Sequence, residues 1–313
     1  MKIVKEVILS KKEHGRYKAF PTIVKVDDEI VAAYREGFVD SAKPHGSNGC
    51  VKILKSRDLN RWDETETPFC DNELDAVISR PFGDYLFLAT RSYEYKKRND
   101  VYISKFKANE LPAKRSLIKF DNADFTMFGH IIENDGVLTA PAYGTCDGIN
   151  SPILLSSDNF GQTWNIKSLI TPNGHKPVLN ETSIVMLDDK FLAIMRSQEP
   201  SYNLYCAFSE DLINWSKPEN LGILGHAPMI RKLDDGRIVF VFRDLNDSFP
   251  GVGLAISKDG LKWDRFNICH YTGNLYNGGY ADFVEIEPNV LFIVYYTCDE
   301  DNEPWIEGKV IKI

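Results

Sequence analysis

The sequence predicts an all-β fold, a six-bladed β-propeller with four-stranded blades, and three observations lead there. Almost no segment carries the 3.6-residue apolar period of a long amphipathic helix, while short alternating strands bounded by Gly, Pro, Asn and Asp run throughout. One pattern recurs six times: a short apolar strand, an acidic or Gly turn, and a second strand of Val, Ile, Leu, Phe and Tyr. Several copies are followed by Ser-x-Asp and, a few residues on, by Trp.

The copies begin near Phe20, Ala76, Met127, Glu181, Ala227 and Ala281, with turns at Asp28, Asp84, Asp135, Asp189, Asp235 and Asn289. Their spacing of 46 to 56 residues is the length of a four-stranded blade. The second signature appears at Ser56, Asp58 and Trp62, at Ser209, Asp211 and Trp215, and at Ser257, Asp259 and Trp263. A further copy reads Ser157-Asp158-Asn159-Phe160-Gly161-Gln162-Thr163-Trp164. Such a string makes a tight hairpin whose Ser and Asp or Asn side chains bond local amides, while the Trp packs between blades. Ile3 to Leu9 and Trp305 to Ile313 are both strand-like and are expected to share the last blade, which removes an exposed sheet edge. Residues 1–313 therefore read as a single propeller domain.

With 43% hydrophobic and 26% charged residues the chain reads as a soluble globular protein. A net charge of -8 and a pI near 5.4 argue against nucleic acid as a partner, since phosphate recognition rests on clustered Lys and Arg. The short basic run Lys96, Lys97, Arg98 reads as a solvated loop. Met1 to Leu9 lacks an apolar signal core and no stretch approaches a membrane span, so no membrane partner and a cytoplasmic location are expected. The six cysteines are far apart, with no Cys-x-x-Cys pair, and read as buried thiols. The expectation is no zinc, no disulfide and no cofactor. Nothing in the sequence specifies an oligomeric state.

In a propeller the first strand of each blade lines the channel and the second returns beside it, so the start of one and the end of the other meet on one face. The second strands end at Arg35, Arg91, Tyr143, Arg196, Arg243 and Tyr296; the first begin at Lys18, Asp75, His130, Glu181, His226 and Tyr280. Converging guanidinium groups on an acidic protein need an anion to offset their repulsion and match the geometry of a carboxylate. This ring predicts an anion-binding site.

The Ser157 to Trp164 string resembles the Asp box of sialidases, with Asn159 where Asp is usual. The resemblance extends further. In sialidases a Glu opens an inner strand and an Arg of a carboxylate-binding triad closes the next about fifteen residues later, as Glu181 and Arg196 do here. Gly279-Tyr280-Ala281-Asp282 is similar to the setting of the sialidase tyrosine, and Arg243 to the arginine of the fifth blade. The chain departs from the family in two places. Tyr17-Lys18-Ala19-Phe20-Pro21 stands where Arg-Ile-Pro is usual, leaving Lys18 or Arg35 as the replacement cation, and Tyr295-Tyr296-Thr297 stands for Leu-Tyr-Glu.

The resemblance implies a retaining exo-glycosidase acting on a carbohydrate with a terminal acidic sugar. Tyr280 is the implied nucleophile and Glu181 its base. A phenol near pKa 10 needs such a base, and a neutral nucleophile suits an anionic sugar. Asp40, in the loop after the second strand of blade one, is the leading proton donor, with His45 and Asp75 behind it. Arg35, Arg196 and Arg243 form the expected carboxylate clamp, and Arg91 and Lys18 extend the binding ring. Two alternatives stand beside this reading: a polysaccharide hydrolase or lyase using His45, His130 or His226, and a non-catalytic glycan-binding propeller.

Overall fold

The computed structural model of the chain describes residues 1–43, 45–92, 100–198, 200–246 and 250–313. The basic run Lys96 to Arg98 lies outside these residues. Strand β1 (Lys2–Ser10) comes first, followed by an antiparallel meander of β2 (Arg16–Val26), β3 (Glu29–Phe38), β4 (Ser47–Ser56) and β5 (Asp63–Glu66). The next meander is β6 (Glu73–Phe82), β7 (Tyr85–Ser92), β8 (Asp100–Lys107) and β9 (Ser116–Ile118). In the third sheet the first strand is split, β10 (Ala123–Met127) and β11 (Ile132–Asn134) both pairing with β12 (Val137–Cys146), which leads to β13 (Ile149–Ser157) and β14 (Asn165–Leu169).

A seven-stranded sheet follows: β15 (Leu179–Met186), β16 (Phe191–Ser197), β17 (Asn203–Ser209), β18 (Glu219–Lys232), β19 (Ile238–Asp244), β20 (Gly251–Ser257) and β21 (Asp264–His270). It holds two four-strand units, because the long β18 pairs with β17 through its first half and with β19 through its second. The last sheet, β22 (Ala281–Glu287), β23 (Val290–Thr297) and β24 (Trp305–Lys312), carries β1 on its outer edge, so the two chain ends share a sheet as expected. Between β21 and β22 lies one 3-10 turn, Leu275–Asn277. Among the described residues no helix is long and apolar enough to cross a membrane.

The turn residues do what their type suggests. Asp27, Gly83, Asp135, Gly236 and Asn289, at or beside five of the six expected turns, take positive φ. The hairpins with Trp are built by local polar bonds. Asp58 Oδ1 accepts from the amides of Asn60 and Arg61, Asp211 Oδ1 from Ile213 and Asn214, and Asp259 Oδ1 from Leu261 and Lys262. Asn159 serves the same turn through Thr163 N at 3.0 Å. Trp62 stacks on Phe292 of β23, Trp164 and Trp215 join apolar clusters that hold Phe87 of β7 and Leu154 of β13, and Trp263 packs edge-on to Phe240 of β19 in a cluster that includes Leu192 of β16.

The first strands of neighbouring four-strand units are stitched by buried side chains in matching positions. Thr22 Oγ1 accepts from Ile78 N, Ser79 Oγ from Ile131 N, Ser183 Oγ from Ile230 N, and Asp282 Oδ2 from Ile23 N. Asp282, fully buried, also lies 2.8 Å from His130 Nε2 and accepts from Arg231 Nη2 at 3.4 Å, while Arg231 donates to Ile23 O at 2.7 Å. One cluster thus joins four of the sheets where their first strands converge. Burial opposes ionisation of Asp282, but His130 and Arg231 outweigh it and hold the carboxyl below its usual range.

The structure corrects one expectation: Cys50 and Cys70 form a disulfide. Cys50 lies on β4 and Cys70 on the segment that returns from β5, and pairing of β4 with β5 brings them together. A separation of 20 residues carries no mark of that contact. Among the described residues these two cysteines and Glu66 are the one cluster with metal-ligand spacing, and its two sulfurs are joined to each other.

Asp282→Ala leaves Arg231, His130 and the Ile23 amide without their shared acceptor. The expected loss is about 3–5 kcal/mol of unfolding free energy, as for a broken buried ion pair. Urea unfolding checks it, and a loss below about 1 kcal/mol would show that the cluster does not join the sheets.

Candidate active site

The site is a cavity of about 280 Å3 at the ends of the first strands. Local backbone distortions aim its side chains. At this level Phe20 on β2, Gly129, Ala227 on β18 and Gly279 all take positive φ, and the register of β2 and β18 shifts at Phe20 and Ala227. Bulges of this kind turn a strand and redirect the residues next to it. Positive φ at Phe20 and Ala227, neither of them Gly, is strain of the sort found at ligand sites. Gly279 is required sterically: a Cβ there would lie 2.8 Å from Cγ of Arg243. Its absence lets Tyr280 lie against Arg243, whose guanidinium carbon is 4.3 Å from the Tyr280 ring centroid.

The chemistry centres on Glu181. Its Oε1 accepts from Tyr280 Oη at 2.6 Å and from Arg196 Nη1 at 2.9 Å, and its Oε2 accepts from the Ala227 amide at 3.1 Å. Arg196 Nη1 also lies 3.2 Å from Tyr280 Oη. Among the described residues the buried Nε of Arg196 has no hydrogen-bond partner. Burial, and then the Glu181 charge, push the Tyr280 phenol well above its ordinary pKa, against the pull of Arg196 and Arg243. Tyr280 is therefore a neutral phenol whose proton already points at a carboxylate.

On the facing wall Asp75 and Arg91 form an ion pair at 2.5 Å, and Arg91 Nη1 donates to Thr126 Oγ1 at 2.8 Å. Burial raises the Asp75 carboxyl above its usual range despite Arg91. Tyr143, Phe20, Phe128, Met229 and Tyr276 complete the apolar lining. His45 enters from the β3–β4 loop, its ring 5.3 Å from that of Phe20 and its Nδ1 3.5 Å from Tyr17 Oη. Burial, then Arg243 and the other arginines, lower its pKa to about 4.

Of the residues singled out in the sequence, Tyr280, Glu181, Arg196, Arg243, Arg91, Asp75 and His45 line one cavity. The others are placed elsewhere. Lys18 pairs across the strands with Glu36 and turns to Ser10, Lys11 and Glu13, away from the cavity. Arg35 points the other way from the same hairpin; it is 1% exposed, donates to Glu73 O, and lies over Tyr17. Burial lowers its pKa to about 10. Asp40 caps the Ala42 amide and lines a separate groove. His130 belongs to the Asp282 cluster, and His226 is enclosed behind Arg243, whose Nη1 donates to its Nδ1 at 3.3 Å. Arg243 is largely committed within the protein, donating also to Gly278 O, Tyr276 O and Tyr296 Oη. Sequence reasoning missed Tyr276, which no motif marks, and the bulges that set side-chain direction.

No family model and no curated protein matches the chain. Among solved structures, a protein of unknown function from Dyadobacter fermentans aligns over 100% of this chain and 99% of its own, with a TM-score of 0.86 at 17% identity. A Trypanosoma rangeli sialidase in complex with sialic acid aligns over 99% of this chain and 59% of its own, with a TM-score of 0.73 at 16% identity. A Penicillium chrysogenum α-L-arabinanase complexed with arabinobiose aligns over 100% and 99%, with a TM-score of 0.72 at 12% identity. The chain therefore has an all-β fold like that of these sialidase and arabinanase structures. It spans about three-fifths of the trypanosomal chains.

His226 yields a stability prediction. Burial, then Arg196 and Arg243, push its pKa down to about 2, so the fold holds it neutral. The unfolded chain protonates it near pH 6.5. Its contribution is therefore complete above about pH 6.5 and is lost as pH falls toward the folded value, by roughly 1.4 kcal/mol per pH unit. Urea unfolding at pH 7, 6 and 5 should show this slope, and His226→Asn should flatten it by about that amount; an unchanged slope would mean His226 is not held neutral.

Proposed function

We propose that this chain is a six-bladed propeller glycosidase that removes a terminal acidic sugar with retention of configuration. The observation that carries the reading is the 2.6 Å bond from Tyr280 Oη to Glu181, inside a cavity where three arginines face two carboxylates. The six four-strand units, two of them sharing β18, are read as the blades, and pairing of β1 with β24 as the closure of the ring. The likeness in fold to sialidases supports the reading, and the departures at Lys18 and Thr297 leave the class of acidic sugar, and not sialic acid itself, as the proposed substrate.

In this mechanism Tyr280 Oη attacks the anomeric carbon and its proton passes to Glu181, so no phenolate forms ahead of the bond. The glycosidic C–O bond breaks as the new C–O bond forms. His45, as imidazolium, gives its proton to the departing oxygen; it takes the place expected for Asp40 because it faces the cavity and Asp40 does not. Water, losing a proton to His45, then displaces the sugar from Tyr280, which recovers its proton from Glu181. Arg196, whose side chain is part-exposed in the cavity lining, binds the substrate carboxylate. Arg243 holds the Tyr280 ring and keeps the cavity positive. Nothing in the site favours the histidine-based alternative through His130 or His226, since both are enclosed.

Tyr280→Phe should abolish turnover, and Glu181→Gln should nearly do so, with the double variant little worse than either. A fluorinated acidic glycoside with a good leaving group should add its mass to the peptide containing Tyr280. His45→Ala should lose about 100-fold or more on alkyl glycosides and far less on aryl glycosides, whose leaving group needs no proton. Because the imidazolium is the active form, kcat/KM should decline as pH rises above about 4. Near-native rates in Tyr280→Phe would overturn the mechanism, and sugar binding without turnover in the native protein would point to a glycan-binding propeller.

A further inference from the structure

The outer edge of the first meander carries a cluster that the proposed reaction does not use. Past β5 the chain keeps its pairing with β4, since Thr67 N donates to Val51 O and Val51 N to Phe69 O, each at 3.0 Å. Side chains along such a segment alternate between its two faces. Thr67 and Phe69 are buried, which turns Glu66 and Cys70 to the outer face; opposite them Val51 is buried while Cys50 and Lys52 are half-buried. Two sulfurs and a carboxylate oxygen therefore meet on one face, all within 4.8 Å of one another. We propose that, once the Cys50–Cys70 bond is reduced, Cys50, Cys70 and Glu66 bind a soft divalent cation of the zinc class.

Donor chemistry and charge set that class. Two thiolates favour a borderline-soft ion over magnesium or calcium, and with one carboxylate they supply three corners of a tetrahedron whose fourth is open to water. The surroundings are acidic. Glu36 pairs with Cys50 across β3 and β4, and Glu64 and Glu66 stand on β5. Lys52 responds to that field: burial opposes its charge, yet the bond to Glu66 and the charges of Glu36, Glu66 and Glu64 raise its pKa. Lys52 Nζ donates to Glu66 Oε2 at 2.6 Å, which holds the carboxylate beside the sulfurs. Cys70 and Glu66 are exposed, so reductant and cation both reach the cluster from solvent.

The exchange balances. A small dithiol gives two electrons and two protons to the disulfide; the S–S bond breaks, each sulfur takes a proton, and the reductant becomes a disulfide. The cation then displaces both protons and bonds to the two thiolates. A small disulfide reverses the change by taking two electrons from the thiolates and two protons from solvent to become two thiols, so that the S–S bond re-forms and the cation leaves. Each sulfur is thus bonded either to its partner or to the metal. The cluster shares no residue with the cavity, so it stands or falls apart from the proposed reaction.

The test uses the full chain and zinc alone, with the reductant removed before zinc is added. Reduced native protein should retain one zinc per chain through gel filtration, and oxidised native protein at least about tenfold less. Cys70→Ser should weaken binding at least about tenfold, and Glu66→Gln about tenfold, the lower end of what losing a group that supports a metal costs. Cys146, Cys206, Cys269 and Cys298 remain in both variants and control for thiols elsewhere. Cadmium in place of zinc should give the ultraviolet thiolate-to-metal absorbance in the reduced native protein and not in Cys70→Ser. Zinc should also raise the melting temperature of the reduced native protein and leave that of the oxidised protein unchanged. No zinc on the reduced native protein, or equal retention by the oxidised protein or by Cys70→Ser, overturns the site. Loss of cooperative unfolding on reduction overturns it as well, because the cluster exists only while β4 and β5 are paired.

Discussion

Asp282 has no contact with water and accepts from, or lies against, groups on three other sheets: the Ile23 amide, His130 and Arg231. An isolated carboxylate in such a place would be protonated. This one stays ionised because a guanidinium and an imidazole converge on it, and in return it sets where the first strands of four sheets meet. Around it the stitches made by Thr22, Ser79 and Ser183 repeat the same device with neutral hydroxyls. The cavity lies where these strands begin, so its dimensions depend on how closely the strands are held.

That dependence explains why the site can be strained and still hold its geometry. Phe20 and Ala227 occupy backbone conformations that cost energy. Their neighbours are tied, Ala227 through its own amide to Glu181 and the segment after Phe20 through Ile23 to Asp282. The ties offset the strain, and the strain aims side chains at a common point that regular strands would send to alternate faces. Arg243 extends the arrangement by holding the ring of Tyr280 and the backbone of Tyr276 together. Its cost in burial is met by four acceptors.

Cation placement separates this site from a simple ring of arginines. Arg35 and Lys18 leave adjacent rungs of one hairpin toward opposite neighbours, so neither lines the cavity, although the buried Arg35 charge still acts on His45 and Asp75. Arg91 is matched by Asp75, and Arg196 shares Glu181 with Tyr280. The surplus charge is small, which suits a ligand carrying one carboxylate and does not suit a polyanion.

The strand pattern, the six turns, the Trp hairpins and the sharing of a sheet by the chain ends were all legible in the sequence, because each depends on local periodicity or turn chemistry. Glu181, Tyr280 and Arg196 were legible because they fall at strand ends whose position follows from the repeat. Tertiary structure decided the rest. Whether a strand-end residue faces the cavity depends on a bulge one or two residues away, and a one-residue change of phase sends a side chain to the opposite face. That is why Lys18 and Arg35 missed the cavity. Asp40 and His45 share one loop, and only its folded path put His45 on the cavity and Asp40 on the groove beside it. The Cys50–Cys70 bond and the groove beside Tyr276 arise from segments that meet by packing, and no local pattern in the chain records such a meeting.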